Sequence, residues 1–215
     1  MRIRFFQDLY EQYSRLDFTN ITDRPIALAG LEERLARTYE TRSAFGVFEV
    51  FLHRSILWQR DGNALMPKIR YRDLQVPSWS WMAVGGPIRF TNVPFDGVNW
   101  SEDIQSPFKK SHNLNTNQND QTMRIPAVAE DFLFASHNGS EMILDQPGGT
   151  QPQDLKCVVV ATEKVDRVTE SQKYYVLLVR PSHPNDESST VERVGVAFIR
   201  ADSILKNSRK HVEII

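Results

Sequence analysis

The hydrophobic periodicity of this chain changes once, and that change constrains the fold more than any other feature of the sequence. Up to Gly62 the apolar side chains recur every three or four positions; beyond it they alternate. Phe5, Leu9, Tyr13 and Leu16 are spaced four, four and three apart, the stripe of an amphipathic helix that should end near Asp17. Asp23 followed by Pro25 announces a second helix, with Leu28, Leu31 and Leu35 on one face. Glu33 and Arg37 form a favourable i, i+4 pair on its solvated side. A third helix is expected over 43–59, turning Phe45, Phe48, Leu52 and Ile56 inward, with Gly46 in its first turn.

Beyond Gly62, Trp79 and Trp81 are two residues apart, which in an extended strand puts both rings on one face. Gly85-Gly86-Pro87 then demands a turn. Strand-like runs bounded by Gly, Pro, Asn or Asp follow at 130–136, 141–145, 155–163, 173–180, 191–200 and 211–215. Val194, Val196 and Phe198 alternate with Arg193, Gly195 and Ala197, while 175–179 reads as a strand buried on both faces. Asp202 is expected to cap a short helical turn through Lys206. The fold class is therefore α+β, with about three N-terminal helices packed on a mainly antiparallel β-sandwich or partly open barrel. A single domain over 1–215 is expected, helical over 1–62 and mainly β over 63–215. Residues 111–121, with four asparagines and only Leu114 apolar, predict a mobile loop. The polar, Pro- and Gly-containing stretches 146–154 and 181–190 suit long hairpin connections.

Composition sets the outer limits. Hydrophobic residues make up 40% and charged residues 25%, as in ordinary globular proteins. Basic and acidic residues, 26 and 27, nearly cancel, which removes the global field of a dedicated nucleic-acid binder. The balance hides an asymmetry: 1–90 carries 13 basic residues, 12 of them arginine, against 10 acidic, whereas 91–215 carries 13 against 17. The single cysteine, Cys157, excludes an internal disulfide or a Cys-rich zinc site and reads as a small buried thiol. No signal peptide follows Met1, and no apolar run approaches the roughly 18 residues of a membrane span. A soluble, cytoplasmic chain with no membrane partner is expected. The sequons at Asn20, Asn99 and Asn138 then read as chance.

The search for chemistry is largely empty. The five histidines are scattered with no ligand spacing, so neither a metal nor a cofactor is expected. The nucleophile elbow, the phosphate loop and the dinucleotide fingerprint are missing, and no catalytic residue stands out. The adjacent acids Glu32-Glu33 and Glu130-Asp131 point about 100° apart on a helix or to opposite faces of a strand, and read as solvated charge. Lys68-Ile69-Arg70-Tyr71-Arg72 interleaves cations with an aromatic residue, but a charge-protected edge strand explains it better than nucleic-acid binding. Pro77-Ser78-Trp79-Ser80-Trp81 is the most distinctive string. Its indoles suit a dry interface between helices and sheet better than a ligand platform.

That string also carries a resemblance. Residues 76–88 resemble the "APSWSWASVDGPV" signature found downstream of the HET domain in fungal heterokaryon-incompatibility proteins. Tyr10 to Ser14, Asp23 to Leu31, Gly46-Val47-Phe48 with Ile56-Leu57-Trp58, Tyr174 to Val179 and Glu192 to Gly195 resemble further stretches of the same region. Most of the chain is covered. Pro77, Ser78, Trp79, Ser80, Trp81, Gly86, Arg193 and Gly195 are the positions that match the motifs. Phe6 and Phe48 stand where the family has tryptophan, Leu16 where it has arginine, and Pro25-Ile26 where it has Leu-Pro. The HET domain's own "LSYCWG"-like and "WIDALCINQ"-like motifs are not found in 1–215. The resemblance therefore implies a non-catalytic regulatory or recognition region of an incompatibility-type protein, without the effector domain. It implies protein partners, possibly including a HET domain. The alternative is a small-ligand-binding or enzymatic domain with a pocket between helices and sheet, walled by Trp79 or Trp81, with Arg70 or Arg72 for an anion.

Overall fold

The computed structural model describes residues 2–108, 123–134, 140–146, 154–166, 169, 171–183 and 189–215. The loop expected at 111–121, Asn138, and the central parts of 146–154 and 181–190 lie outside the described residues. The fold is α+β, helices first and a large sheet after them. No helix among the described residues is long and apolar enough to cross a membrane.

Two helices form the front layer, α1 (Arg2–Ser14) and α2 (Arg24–Tyr39). Phe6 and Tyr10 of α1, and Leu28 and Leu35 of α2, are buried in one aromatic-rich cluster. The expected stripe of α1 is therefore corrected: Phe5 and Leu16 are exposed and Leu9 and Tyr13 only partly buried, because the helix turns the neighbouring face of Phe6, Tyr10 and Ser14 inward against the aromatic cluster and the edge of the following strands. Glu32 departs from expectation. Glu33 is exposed and pairs with Arg37 at 3.8 Å, but Glu32 is buried, and its carboxylate accepts a hydrogen bond from Gly46 N at 2.8 Å. Burial pushes this carboxyl above its ordinary value, against the hydrogen bonds from Gly46 and Ser43 that favour the charge.

The third helix is much shorter than its periodicity suggests. Strands β1 (Ser43–Ala44) and β2 (Val47–Phe48) form a tight hairpin, and only Leu52–Ile56, α3, is α-helical. Phe45 and Gly46 take positive φ of 52° and 75° at its tip. A side chain at Gly46 would run into Trp81 Nε1, so the chain turns there because backbone and indole must touch. Of the expected inward residues, Phe48, Leu52 and Ile56 are buried and Phe45 is partly buried against both cores. Strands β3 (Trp58–Arg60) and β4 (Ile88–Phe90) then pair with each other. The outer edge of β4 is closed by α1, whose Ser14 Oγ and Glu11 Oε1 accept from Ile88 N (2.9 Å) and Phe90 N (2.7 Å).

The main sheet contains β6 (Ile125–Phe132), β8 (Lys156–Glu163), β9 (Lys173–Pro181), β10 (Thr190–Arg200) and β11 (Ile204–Ile214). Two short strands flank them: β5 (Val98–Trp100) on β8 and β7 (Glu141–Leu144) on β10. The five long strands form a ring, β11-β6-β8-β9-β10, closed where β10 meets β11. Five strands cannot alternate direction all the way round, so one neighbouring pair has to be parallel. That pair is the closure, Thr190 opposite Glu213 and Val191 opposite Ile214, while the other four neighbour pairs in the ring are antiparallel. Strand β9 is buried on both faces as expected, Leu177 and Val179 toward one cluster and Val176 and Leu178 toward another.

The simple alternation in β10 fails at one place. A bulge between Arg193 and Gly195 puts Val194 on the face of Ala197 and Ile199, opposite Val196 and Phe198. The turn after β10 is also shorter than expected: Ala201–Ser203 is a single 3-10 turn and β11 begins at Ile204. Cys157 is buried as expected, its thiol pushed up to about 12 chiefly by burial.

Two glycines test the packing in opposite senses. A Cβ at Gly195 would run into Ile143 O and lie 2.9 Å from Leu144 Cα, forcing β7 off β10. Gly195→Ala should cost about 1–3 kcal/mol in urea denaturation. Gly30, inside α2 with nothing within 4 Å, should give a stabilised Gly30→Ala by about 0.5–1 kcal/mol. For Glu32, a pKa raised in the fold means a contribution present below the ordinary value of 4.5 and lost as the pH rises through the folded pKa. Glu32→Gln keeps an acceptor for Gly46 but not the charge. Its stability should gain on the wild type as the pH rises from 4 to 7, read from paired denaturation curves.

Candidate functional site

The tryptophan string occupies the junction between front layer and sheet, but not as a strand. Ser80 Oγ accepts from Met82 N (3.0 Å) and donates to Phe45 O (2.7 Å), nucleating a 3-10 turn over Trp81–Ala83. The turn sends the two indoles apart. Trp79 enters the cluster of the sheet and Trp81 that of the helices, both fully buried. Trp81 packs beside Tyr10 (5.5 Å) and under the buried Arg24 guanidinium (5.4 Å), which donates to Val84 O at 2.9 Å. The expectation that both rings share one strand face is thus corrected, and the reading of a dry helix–sheet interface holds for both.

Ser78 stands at the closure of the ring. One edge of β10 is bonded to β9 along its length, but the other changes partner from β11 at Val191 to β7 at Gly195. The gap between them is filled from outside the sheet. Arg193 N donates to Ser78 Oγ at 2.9 Å, Ser78 N donates to Ile215 O at 2.8 Å, and Ser78 Oγ also donates to Ile215 O. Asp145 N donates to Val194 O at 2.8 Å. One serine therefore ties the ends of both closing strands.

Beneath this corner lies an arginine that the alternation does not announce. The Arg193 side chain is wholly buried, its guanidinium carbon 3.2 Å from the centre of the Trp58 ring. Nη2 donates to Trp58 O at 2.5 Å and stands 3.3 Å from Asp145 Oδ1, an ion pair whose geometry leaves Oδ1 without a well-directed hydrogen bond. Nε and Nη1 have no hydrogen-bond partner among the described residues. Burial pushes the Asp145 carboxyl up and the Arg193 guanidinium down, to about 10, so desolvation outweighs the attraction between them at both ends. Trp58 is itself fixed by its Nε1, which donates to Trp79 O at 2.9 Å.

Above the pair opens a cavity of about 580 Å³ between the 68–78 segment and the ends of β7, β9 and β10. Arg70 lines it, whereas Arg72 is exposed outside it. Neither Trp79 nor Trp81 forms a wall; Pro77, Ser78, Ala83 and Val84, on either side of them in sequence, do. The 68–72 run is not an edge strand, since only a bridge between Lys68 and Val84 links it to other backbone in sheet fashion. Lys68 instead pairs with Glu192 at 2.7 Å, and Tyr71 OH donates to Met82 O at 2.7 Å. Of the motif positions, Pro77, Ser78 and Arg193 meet at the cavity. Gly86, at φ 102°, permits the approach of Leu65 O, which would lie 2.6 Å from a Cβ there. Asp145 and Arg180 carry no local signal in the sequence, because only the bulge and the ring closure bring them to this place, whereas Glu192 opens the matched stretch 192–195. No group of three His, Cys, Asp or Glu among the described residues could hold a metal ion.

Compared with known family models, curated proteins and solved structures, the chain matches none of them.

Removing one member of the buried pair strands the other. Arg193→Met should destabilise by about 3–5 kcal/mol, and adding Asp145→Leu to it should recover a large part of that loss. Equal losses for single and double variants in chemical denaturation would show that the pair does not act as a unit.

Proposed function

We propose that this chain is a non-catalytic recognition region of the heterokaryon-incompatibility type, the part that follows a HET domain, and that it acts by binding protein partners. One observation supports the reading above others. Two of the stretches that resemble the family's, 76–88 and 192–195, are far apart in the chain yet join at a single corner through the bond from Arg193 N to Ser78 Oγ. Ser78, Ser80, Trp79, Trp81 and Arg193 of the matched positions all have packing or hydrogen-bonding tasks between the helices and the sheet. The partner is expected to be a protein, a HET domain among the candidates. The helical layer leaves Phe5, Leu16 and Ile26 exposed at 57%, 54% and 75%, apolar area that a partner would cover.

The test is direct titration of the purified chain with a separately expressed HET domain in a calorimeter. A one-to-one complex with Kd of about 1–10 μM is expected, weakened at least about tenfold by Ile26→Asp. A heat signal no different from dilution at about 100 μM of each protein would end the HET-domain form of the reading.

A further inference from the structure

We propose that the cavity above Arg193 binds a small amphipathic anion, a carboxylate or phosphate head on a hydrocarbon body. Its size falls within the range of small-molecule sites, about 300–1,000 Å³. Among the described residues that line it, its charge is unbalanced. Lys68, Arg70 and Arg180 line it against one partly exposed carboxylate, Glu192, which takes Lys68 at 2.7 Å and Arg180 at 3.5 Å. Asp145 adds no free negative charge, because it faces Arg193. Arg70 is exposed and makes no ion pair or hydrogen bond among the described residues. This surplus of cation sits on a protein whose net charge is only −1, so it is a local property of the cleft.

The lining also carries apolar side chains, Ile69, Leu74, Val76, Pro77 and Ile215. Leu74 remains 40% exposed there, and an alkyl or aryl body laid against it would cover it. Together these features select a head that carries negative charge and a body that does not. They disfavour a nucleic-acid strand, which needs a long basic track with stacking rings.

The inference is independent of the recognition reading, because it requires no protein partner. Octanoate and octyl phosphate, titrated separately into the full chain, distinguish the two kinds of head, with octanol as the neutral counterpart and acetate as the head without a body. One-site binding of at least one of the two anions is expected, with octanol and acetate each weaker by about tenfold or more. Arg70→Ala and Leu74→Asp should each weaken it by about fivefold or more, whereas Arg72→Ala, outside the cavity, should leave it unchanged. Thermal midpoints of all three variants should match the wild type, as these side chains are exposed. Absence of saturation by either anion at roughly 10 mM, equal affinity for octanol, or equal effects of Arg70→Ala and Arg72→Ala would each overturn the proposal.

Discussion

The closure of an odd ring of strands depends on a charge buried where the ring would otherwise have a gap. Strand β10 loses its outer partner for three residues as it passes from β11 to β7, and Arg193 lies in that gap. Taking a guanidinium out of water costs several kcal/mol, which the local contacts have to offset. The Trp58 face and carbonyl, on β3, and the Asp145 carboxylate, one residue past β7, do so, so the arginine can be buried only when β3, β7 and β10 are all in place. This makes it a poor source of net stability and a strong determinant of one arrangement over others. The directions in which burial moves both groups, Asp145 up and Arg193 down, have the same meaning.

The Pro77 to Trp81 string couples this seam to the helical layer. Ser78 joins the strand ends, Trp79 O receives the indole N–H that fixes Trp58, Ser80 starts the turn, and Trp81 fills the space between α1 and α2. Small serines between large indoles allow this: each serine satisfies backbone groups that a turn leaves open, while each ring serves a different core. The same logic covers Gly46 and Gly86, where backbone must approach an indole or a carbonyl more closely than a Cβ permits. A motif that looks like a ligand platform is thus used up in packing. The cavity lies against its outer side, where the strap carries Lys68, Arg70 and Pro77.

The elements set by local pattern were legible in the sequence. Helices α1 and α2 and the long strands β8, β9 and β10 follow from periodicity, although α1 buries Phe6 and Tyr10 and leaves Phe5 and Leu16 of the expected stripe exposed, since which face turns inward is set by what packs against it. The failures share a cause. The third helix was overextended because the apolar spacing of Phe48, Leu52 and Ile56 persists through a hairpin and a 3-10 turn, and a spacing cannot distinguish these from a longer helix. Glu32 looked solvated because its need for burial comes from Gly46, fourteen residues on. Of the residues singled out for a ligand, Arg70 reaches the cavity, Arg72 does not, and the two tryptophans lie inside the protein.

By itself, then, the sequence determined the α+β division, helices first and strands after, and the positions of the long helices and of β8, β9 and β10, because these depend on interactions within a few positions of the chain. The tertiary structure alone decided that five strands close with one parallel pair, that a bulge turns Arg193 inward to meet Asp145 and Trp58, and that Lys68, Arg70 and Arg180 share one cleft. Those outcomes depend on which distant backbones meet, and ring closure fixes that only when every strand is in register.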